Sequence, residues 1–362
     1  MVQIILSEDE SCGVGQVQEW LEFNGIDFKS MIFWNKDSSQ FQLPSDIDNS
    51  IVVMNHKVFF WDFLDTPSTV NQLVKFLKRN NKIWLIGMDS AITTAFFIPN
   101  KRKNLLLLDN LVDADKLFCF FDADLSAHCW TNHLKNIKIV VMKYNFFFGR
   151  PRVQSRTPSK NQPRHDYLLT MVQKKSRPHR KILWKELQNR PELLDHGLII
   201  SRSEKEKRSW VGQKPSQHTW YDGHPSMDLY LDCCLEIVPE TCYRDLYFFT
   251  EKTHKPIATK TPFLVVSTCG YLDYLRRLGF QTFDSLIDES YDQHHRVEDR
   301  VKSMVDTLED IVRTGAYDFY QASQSILDHN FSRLCEIAGG WQYHFDQIMW
   351  SALDRAQTRI TT

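Results

Sequence analysis

The sequence reads as an α/β protein of two doubly wound domains, and three observations predict it. Short apolar runs alternate with helix-spaced stretches along both halves of the chain. The 362 residues suit two domains. Residues 150–163, RPRVQSRTPSKNQP, hold three prolines, no acidic residue and little to bury, which marks a linker. The expected boundaries are 1–149 for the first domain, 150–165 for a basic linker, and 166–335 for the second domain. Residues 336–362 are expected to form a C-terminal helix returning to the first domain.

In the first half, the runs at 2–6, 51–55, 82–87, 104–108, 117–121 and 137–144 have the length and near-continuous apolar character of buried parallel strands. Between them, 17–23 and 69–79 carry helical spacing. In the second of these, Val70, Leu73, Val74 and Leu77 recur at i, i+3, i+4 and i+7, and Pro67-Ser68 supplies the start signal. The second half resumes the alternation. It reads strand 167–172, helix 180–188, strand 197–201, then a polar loop with Trp210 and Trp220. Next come strand 232–238, a helix near 255–260, strand 263–267, and helices at 270–278 and 297–313. The tail, 319–353, is helical and aromatic, with Trp341, Tyr343, Phe345 and Trp350.

Composition excludes several classes. With 44 Lys+Arg against 45 Asp+Glu, no global field draws the chain to nucleic acid or anionic lipid. The eight cysteines form no C-x-x-C pair and no metal-finger spacing, so buried free thiols in a reducing compartment are expected. The opening MVQIILSEDE lacks a basic stretch, so no signal peptide is expected. No apolar run reaches the roughly eighteen residues of a membrane span. A soluble cytoplasmic monomer is the expectation. Aromatic residues reach 13%, enough to build a core or to line a cleft that stacks bases or sugars. The near-zero net charge hides a local excess: residues 150–190 hold twelve basic residues against Asp166 and Glu186. That strip is either a solvated linker face or an anion-attracting lip beside a cleft.

The most informative region spans 235–292. A strand ends in Val238-Pro239-Glu240-Thr241, and a short loop leads into Phe249-Thr250-Glu251-Lys252-Thr253-His254-Lys255-Pro256-Ile257. Acidic residues leaving the carboxyl end of a buried parallel strand reach the crevice where doubly wound sheets bind ligands. There a carboxylate can accept hydrogen bonds from both hydroxyls of a ribose. The next helix N-terminus, with Thr250 and Lys252 nearby, offers N–H groups and a cation to a diphosphate. The competing reading makes Glu251 the cap of a helix beginning near Thr253, with Lys252 solvated.

With Pro262-Phe263-Leu264-Val265-Val266, Tyr271 to Phe280 and Asp288-Glu289-Ser290-Tyr291-Asp292, this run resembles the donor-binding domain of GT-B glycosyltransferases of phages, large viruses and bacteria. It is more loosely similar to fucosyltransferase- and exostosin-type enzymes. Lys174-Lys175-Ser176-Arg177-Pro178-His179-Arg180 is a second matching element, and the resemblance covers about residues 166–292. It implies two Rossmann-like domains with a cleft between them, a nucleotide-sugar donor such as a UDP- or GDP-sugar, and no other cofactor. It further implies Glu240 or Glu251 on the ribose, with Thr250 at the helix N-terminus beside the donor. Arg177, Arg180, Lys252 and Lys255 are implied near the diphosphate. His179 either donates to a phosphate or packs beneath the helix. Such enzymes neutralise the leaving diphosphate with cations and helix N-termini instead of a metal. Inversion at the transferred sugar is the expected outcome, and the viral character of the family implies host cytoplasm.

The first domain would then supply the acceptor site and a general base. Candidates follow predicted strands: Glu8 and Asp9 after 2–6, His56 after 51–55, and Asp89 after 82–87, with Asp89 preferred. Each equally fits a helix cap or turn. Cys12-Gly13-Val14-Gly15 is a weak match to a glycine-rich phosphate loop. Asp122-Ala123-Asp124 offers a different reading, a metal-dependent GT-A enzyme holding Mn²⁺ or Mg²⁺, although Asp113-Ala114-Asp115 repeats the tripeptide in a turn-like setting. His294 and His295, with Asp292 and Glu298, read as a solvated helix entry. For the acceptor, a hydroxymethylated base in double-stranded phage DNA is the leading expectation and a glycan or protein the alternative. A non-catalytic binding protein on the same fold is a further class.

Overall fold

The computed structural model describes residues 3–7, 12–31, 34–35, 40–41, 48–55, 64, 66–79, 81–87, 99–114, 116–121, 134–141, 163–171, 177–201, 230, 232–244 and 247–358. By its internal contacts the chain divides into two units, Met1–Gly149 with Gly340–Thr362, and Arg150–Gly339.

Unit 1 contains β1 (Gln3–Ser7), α1 (Cys12–Phe23), β2 (Phe28–Met31), the short antiparallel pair β3 (Trp34–Asn35) and β4 (Gln40–Phe41), and β5 (Ser50–Asn55). It continues with α2 (Pro67–Lys78), β6 (Lys82–Gly87), α3 (Pro99–Leu111), β7 (Leu117–Phe121) and β8 (Lys138–Val141). Six strands form one parallel sheet in the order β2-β1-β5-β6-β7-β8. Its centre is buried on both faces, with Ile4, Ile5, Leu6, Ile51, Val52, Val53, Ile83, Trp84 and Leu85 removed from water. This is why these strands are runs of apolar residues with no alternation. The strand order reverses between β1 and β5, so their carboxyl ends mark the switch point of this sheet.

Local chemistry fixes the helices. Thr66 caps α2, accepting from the Thr69 N–H at 3.3 Å, and Pro67 occupies the first helical position. The segment 104–108, expected as a strand, lies inside α3. Lys101, Asn104, Leu105 and Leu108 form its buried face at i, i+3, i+4 and i+7, while Leu107 and Leu111 are exposed. A run of four leucines fits either period, and its polar flanks decide. Asn104 donates to the Leu64 carbonyl at 2.8 Å, and Asp109 accepts from the N–H groups of Lys135, Asn136 and Ile137 at the entry to β8. The Cys12–Gly15 segment, read as a loop, is the first turn of α1.

Unit 2 contains β9 (His165–Met171), α4 (Pro178–Gln188), α5 (Pro191–His196), β10 (Gly197–Ser201) and β11 (Cys233–Pro239). It goes on through α6 (Glu251–Ala258), β12 (Phe263–Val266) and α7 (Tyr271–Arg277). A 3-10 turn at Ser290–Gln293 precedes α8 (Val297–Thr314), α9 (Ala316–Ala322) and α10 (Gln324–Thr358). Its four strands are all parallel in the order β10-β9-β11-β12, which places the switch point between β9 and β11. The last part of α10 belongs to unit 1. There the Trp20 indole donates to Asp346 at 2.8 Å, its ring meets Trp350 edge-on, and Lys82 donates to the Arg355 carbonyl. No helix among the described residues is long and apolar enough to cross a membrane.

Candidate functional site

The switch point of unit 2 is joined by hydrogen bonds running from the start of α4 to the segment leaving β11. Arg177, extended at the N-cap of α4, donates to the Thr241 carbonyl. Arg180 donates to the Pro239 carbonyl at 3.1 Å. His179 lies between them, with Nε2 2.8 Å from the Glu240 carbonyl, so Nε2 carries the proton and donates. Its ring stacks on Tyr243 at 4.9 Å. Burial, then the charge of Arg180, lowers His179 to about 3, so the ring is neutral. Its full burial and these contacts place it beneath the helix, the packing alternative of the two read from sequence. Three consecutive carbonyls, 239 to 241, thus each receive a donor from the four-residue Arg-Pro-His-Arg element.

Glu240 is completely buried and holds four hydrogen bonds. Oε1 accepts from the Thr250 N–H at 3.1 Å and the Thr253 hydroxyl at 2.7 Å. Oε2 accepts from the Thr241 N–H at 2.6 Å and the Thr250 hydroxyl at 2.7 Å. The carboxylate is therefore occupied in fastening the end of β11 to the start of α6. Thr250 is the N-cap of α6, and its oxygen accepts from the Lys252 N–H at 3.2 Å while its proton goes to Glu240. The helix starts at Glu251, ahead of the 253–255 start expected, because this cap sits at Thr250.

Glu251 and Lys252 follow at the first two helical positions, with side chains 16% and 15% exposed and ion-paired to each other. Lys252 also donates to the Thr241 hydroxyl at 3.2 Å. Burial holds Arg180 down to about 10, and the carboxylates of Glu240 and Glu251 act on it from the opposite sign. Arg180, Glu251 and Lys252 thus share one electrostatic neighbourhood at the carboxyl ends of β9 and β11. Lys255 lies one turn further along α6, where its charge reaches Glu236.

Glu236 went unnoticed in the sequence although it is the lone charge in CCLEIVP. It is buried within β11, accepts from the Tyr230 hydroxyl at 3.2 Å, and is pushed up to about 8 by desolvation. Arg300 was missed too, although its spacing from Met304 and Leu308 places it on the apolar face of α8. His294 and His295 are both exposed, as a solvated helix entry requires, whereas Asp292 is buried and its Oδ2 accepts from the Leu272 N–H of α7. Asp9, His56, Asp89, Glu8, Asp122 and Asp124 lie outside the described residues, as do Lys174, Lys175, Trp210, Trp220 and residues 150–162.

No protein-family model matches this sequence, and no curated protein does. Solved structures do match over almost the whole chain. The α,α-trehalose 6-phosphate synthase of Burkholderia multivorans aligns with a TM-score of 0.50 at 10% identity, covering 98% of this chain and 99% of that one. The fold is GT-B. Two further likenesses are looser. One is a DNA-modifying β-glucosyltransferase solved with and without uridine diphosphoglucose (TM-score 0.46, 12% identity, 96% of this chain and 100% of that one). The other is the S. aureus MnaA–UDP structure (TM-score 0.44, 10% identity, 95% and 96%). At these identities the likeness speaks for the fold alone. A GT-B chain has two Rossmann-like α/β units, here the six-stranded and the four-stranded parallel sheets.

Proposed function

We propose that this chain is a glycosyltransferase that takes its sugar from a UDP- or GDP-linked donor bound at the unit 2 switch point. The observation that carries the reading is the grouping of Arg180, Glu251 and Lys252 in one electrostatic neighbourhood at that switch point, beside a segment fastened by Arg177, His179 and Glu240. Glu240 has its oxygens occupied by the N–H groups of Thr241 and Thr250 and the hydroxyls of Thr250 and Thr253, so Glu251 is the carboxylate for the ribose hydroxyls. Arg180, Lys252 and the start of α6 take the diphosphate, with Arg177 and Lys255 at its edges.

In the proposed reaction an acceptor hydroxyl oxygen attacks the anomeric carbon as the bond from that carbon to the phosphate oxygen breaks. The electron pair leaves with the nucleoside diphosphate, where the cations stabilise it. The hydroxyl proton passes to a base in unit 1, and a single displacement inverts the anomeric centre. Asp89, His56 and Asp9 follow the carboxyl ends of the neighbouring strands β6, β5 and β1, and Asp89 is the first to test. The acceptor we favour is a hydroxymethylated base in duplex DNA, on the strength of the basic stretch 150–190. A glycan or protein acceptor is the competing outcome.

Titration calorimetry with UDP, GDP, ADP and CMP tests the donor site. Binding of one nucleoside diphosphate by wild type, weakened at least tenfold in Glu251→Ala and Arg180→Ala, is expected. If wild type binds none of them, the chain is a non-catalytic protein on this fold. Transfer that survives EDTA is expected, and loss of transfer restored by Mn²⁺ would overturn the metal-independent mechanism.

A further inference from the structure

Arg300 stands outside every group assigned above, yet it is 1% exposed and its guanidinium lies at the same segment. It projects from the first turns of α8 and donates to two main-chain carbonyls, Tyr243 at 2.8 Å and His294. Tyr243 belongs to the segment leaving β11, and His294 closes the 3-10 turn. That turn is bound to the segment leaving β12, since the Asp292 carbonyl accepts from the Gly270 N–H at 2.9 Å and its carboxylate accepts from Leu272. Arg300 and Asp292 attract each other across this junction. Burying a guanidinium costs several kcal/mol unless its donors are used. Here Nη1 and Nη2 tie together the segments that follow two neighbouring strands, while the buried Nε makes no hydrogen bond among the described residues.

We infer that Arg300 is a positioning residue for the donor pocket, setting the main chain at Tyr243 and hence the loop from Glu240 that flanks Glu251 and Lys252. This rests on the donor-site reading above. The Tyr243 ring is held independently by its stack on His179, so Arg300 fixes the backbone and His179 the side chain. Only arginine does this at that position. Its planar fork donates in two directions from one buried charge, whereas a lysine ammonium would reach one carbonyl and leave the other without a donor.

The test uses full-length Arg300→Lys, with Leu308→Ala as a control that loosens the same helix two turns away from the loop. Calorimetry with the nucleoside diphosphate that wild type binds reads affinity, and hydrogen exchange reads the amides at 243 and 244. Arg300→Lys is expected to weaken nucleotide binding at least tenfold and speed exchange at those amides. The donor KM should rise by the same factor, with kcat within twofold. Leu308→Ala is expected to lower the melting temperature but leave nucleotide affinity within twofold. Equal losses of affinity in the two variants would make Arg300 a merely structural residue and overturn the inference. Unchanged affinity in Arg300→Lys, with wild type binding normally, would do the same. Wild type that binds no nucleotide would overturn the donor-site reading and this inference with it.

Discussion

Replacing Glu240 by glutamine distinguishes a fastening role from a ligand role, and the geometry sets the size of the effect. Each oxygen of Glu240 holds one hydroxyl and one backbone N–H. A hydroxyl can turn and accept from an amide NH2, but a backbone N–H cannot. Whichever way the glutamine amide is oriented, its NH2 meets either Thr241 N–H or Thr250 N–H, and one buried donor is stranded. The lost charge-assisted bond and the stranded donor together come to about 4 kcal/mol. That is a large share of the roughly 5–15 kcal/mol that holds an ordinary domain folded. Glu251→Gln, in a mostly buried ion pair, leaves Lys252 an amide oxygen to donate to and should cost about 1 kcal/mol in stability. Urea denaturation of both variants, paired with nucleotide titration, reads the two roles separately. Glu240→Gln should fall in stability, whereas Glu251→Gln should keep its stability and lose affinity. If Glu240→Gln unfolds within 1 kcal/mol of wild type, the fastening argument is wrong. Should it also lose affinity while Glu251→Gln binds normally, the two carboxylates have exchanged roles.

Three further perturbations follow from buried groups. Glu236 is protonated in the folded state up to about pH 8 and in the unfolded chain only to its ordinary 4.5, so folding takes up a proton between these values. Stability should be full below pH 4.5, decline as pH rises to 8 by up to about 5 kcal/mol, and stay flat above. Glu236→Gln should remove that slope in urea titrations at pH 5 and 8.5, and parallel profiles would count against it. Asp292, raised by burial to about 6, should add a smaller decline of up to about 3 kcal/mol between pH 4 and 6, which Asp292→Asn abolishes in urea titrations at pH 4 and 6.5. In unit 1, Asp109→Ala strands three N–H groups at the entry to β8 and should lower stability by about 3 kcal/mol, read by thermal unfolding; Leu111→Ala on the exposed side of α3 should change it little.

Strands 82–87 and 117–121 could be read from the sequence to the residue, because a parallel strand buried on both faces is an uninterrupted apolar run; 197–201 was equally legible although it is a half-buried edge strand. The same rule misread 104–108, where apolar continuity came from a helix packed on one side and partly exposed on the other. What lay beyond pattern was every pairing across sequence distance. Arg177, His179 and Arg180 were recognisable as basic residues at a helix start, but their acceptors lie about sixty residues away. Glu240 and Glu251 could not be told apart because the difference is made by Thr250 and Thr253, whose hydroxyls point back at one carboxylate only through the turn of α6. Glu236 and Arg300 carried a legible signal in retrospect. Each is a charge at a position whose periodicity demands an apolar residue, and such a violation marks a group held by partners elsewhere in the fold.

The basic stretch 150–190 is weaker than its twelve-to-two count implies, and this bears on a DNA acceptor. Arg164 is paired with Asp232, and Arg190 with Asp306 and Glu309, all contributed from later in the chain. Arg177 and Arg180 are turned toward carbonyls. Among the described residues Lys181, Lys185 and Arg164 are the exposed cations of the stretch, Arg164 within its ion pair, and Arg150, Arg152, Arg156, Lys160, Lys174 and Lys175 lie outside them. With the ion-paired and carbonyl-bound arginines set aside, eight charges of this stretch remain for phosphates, which puts its share of the salt slope, d log K/d log[salt], at about −7. If duplex DNA binds here, Lys181→Gln with Lys185→Gln should flatten the slope by about 2, while Arg190→Gln should leave it unchanged. A slope that Arg190→Gln flattens as much as the lysine pair would mean that its ion pairs open to admit the phosphates. A slope near zero in wild type would remove duplex DNA from the acceptors and leave a neutral glycan or protein hydroxyl in its place.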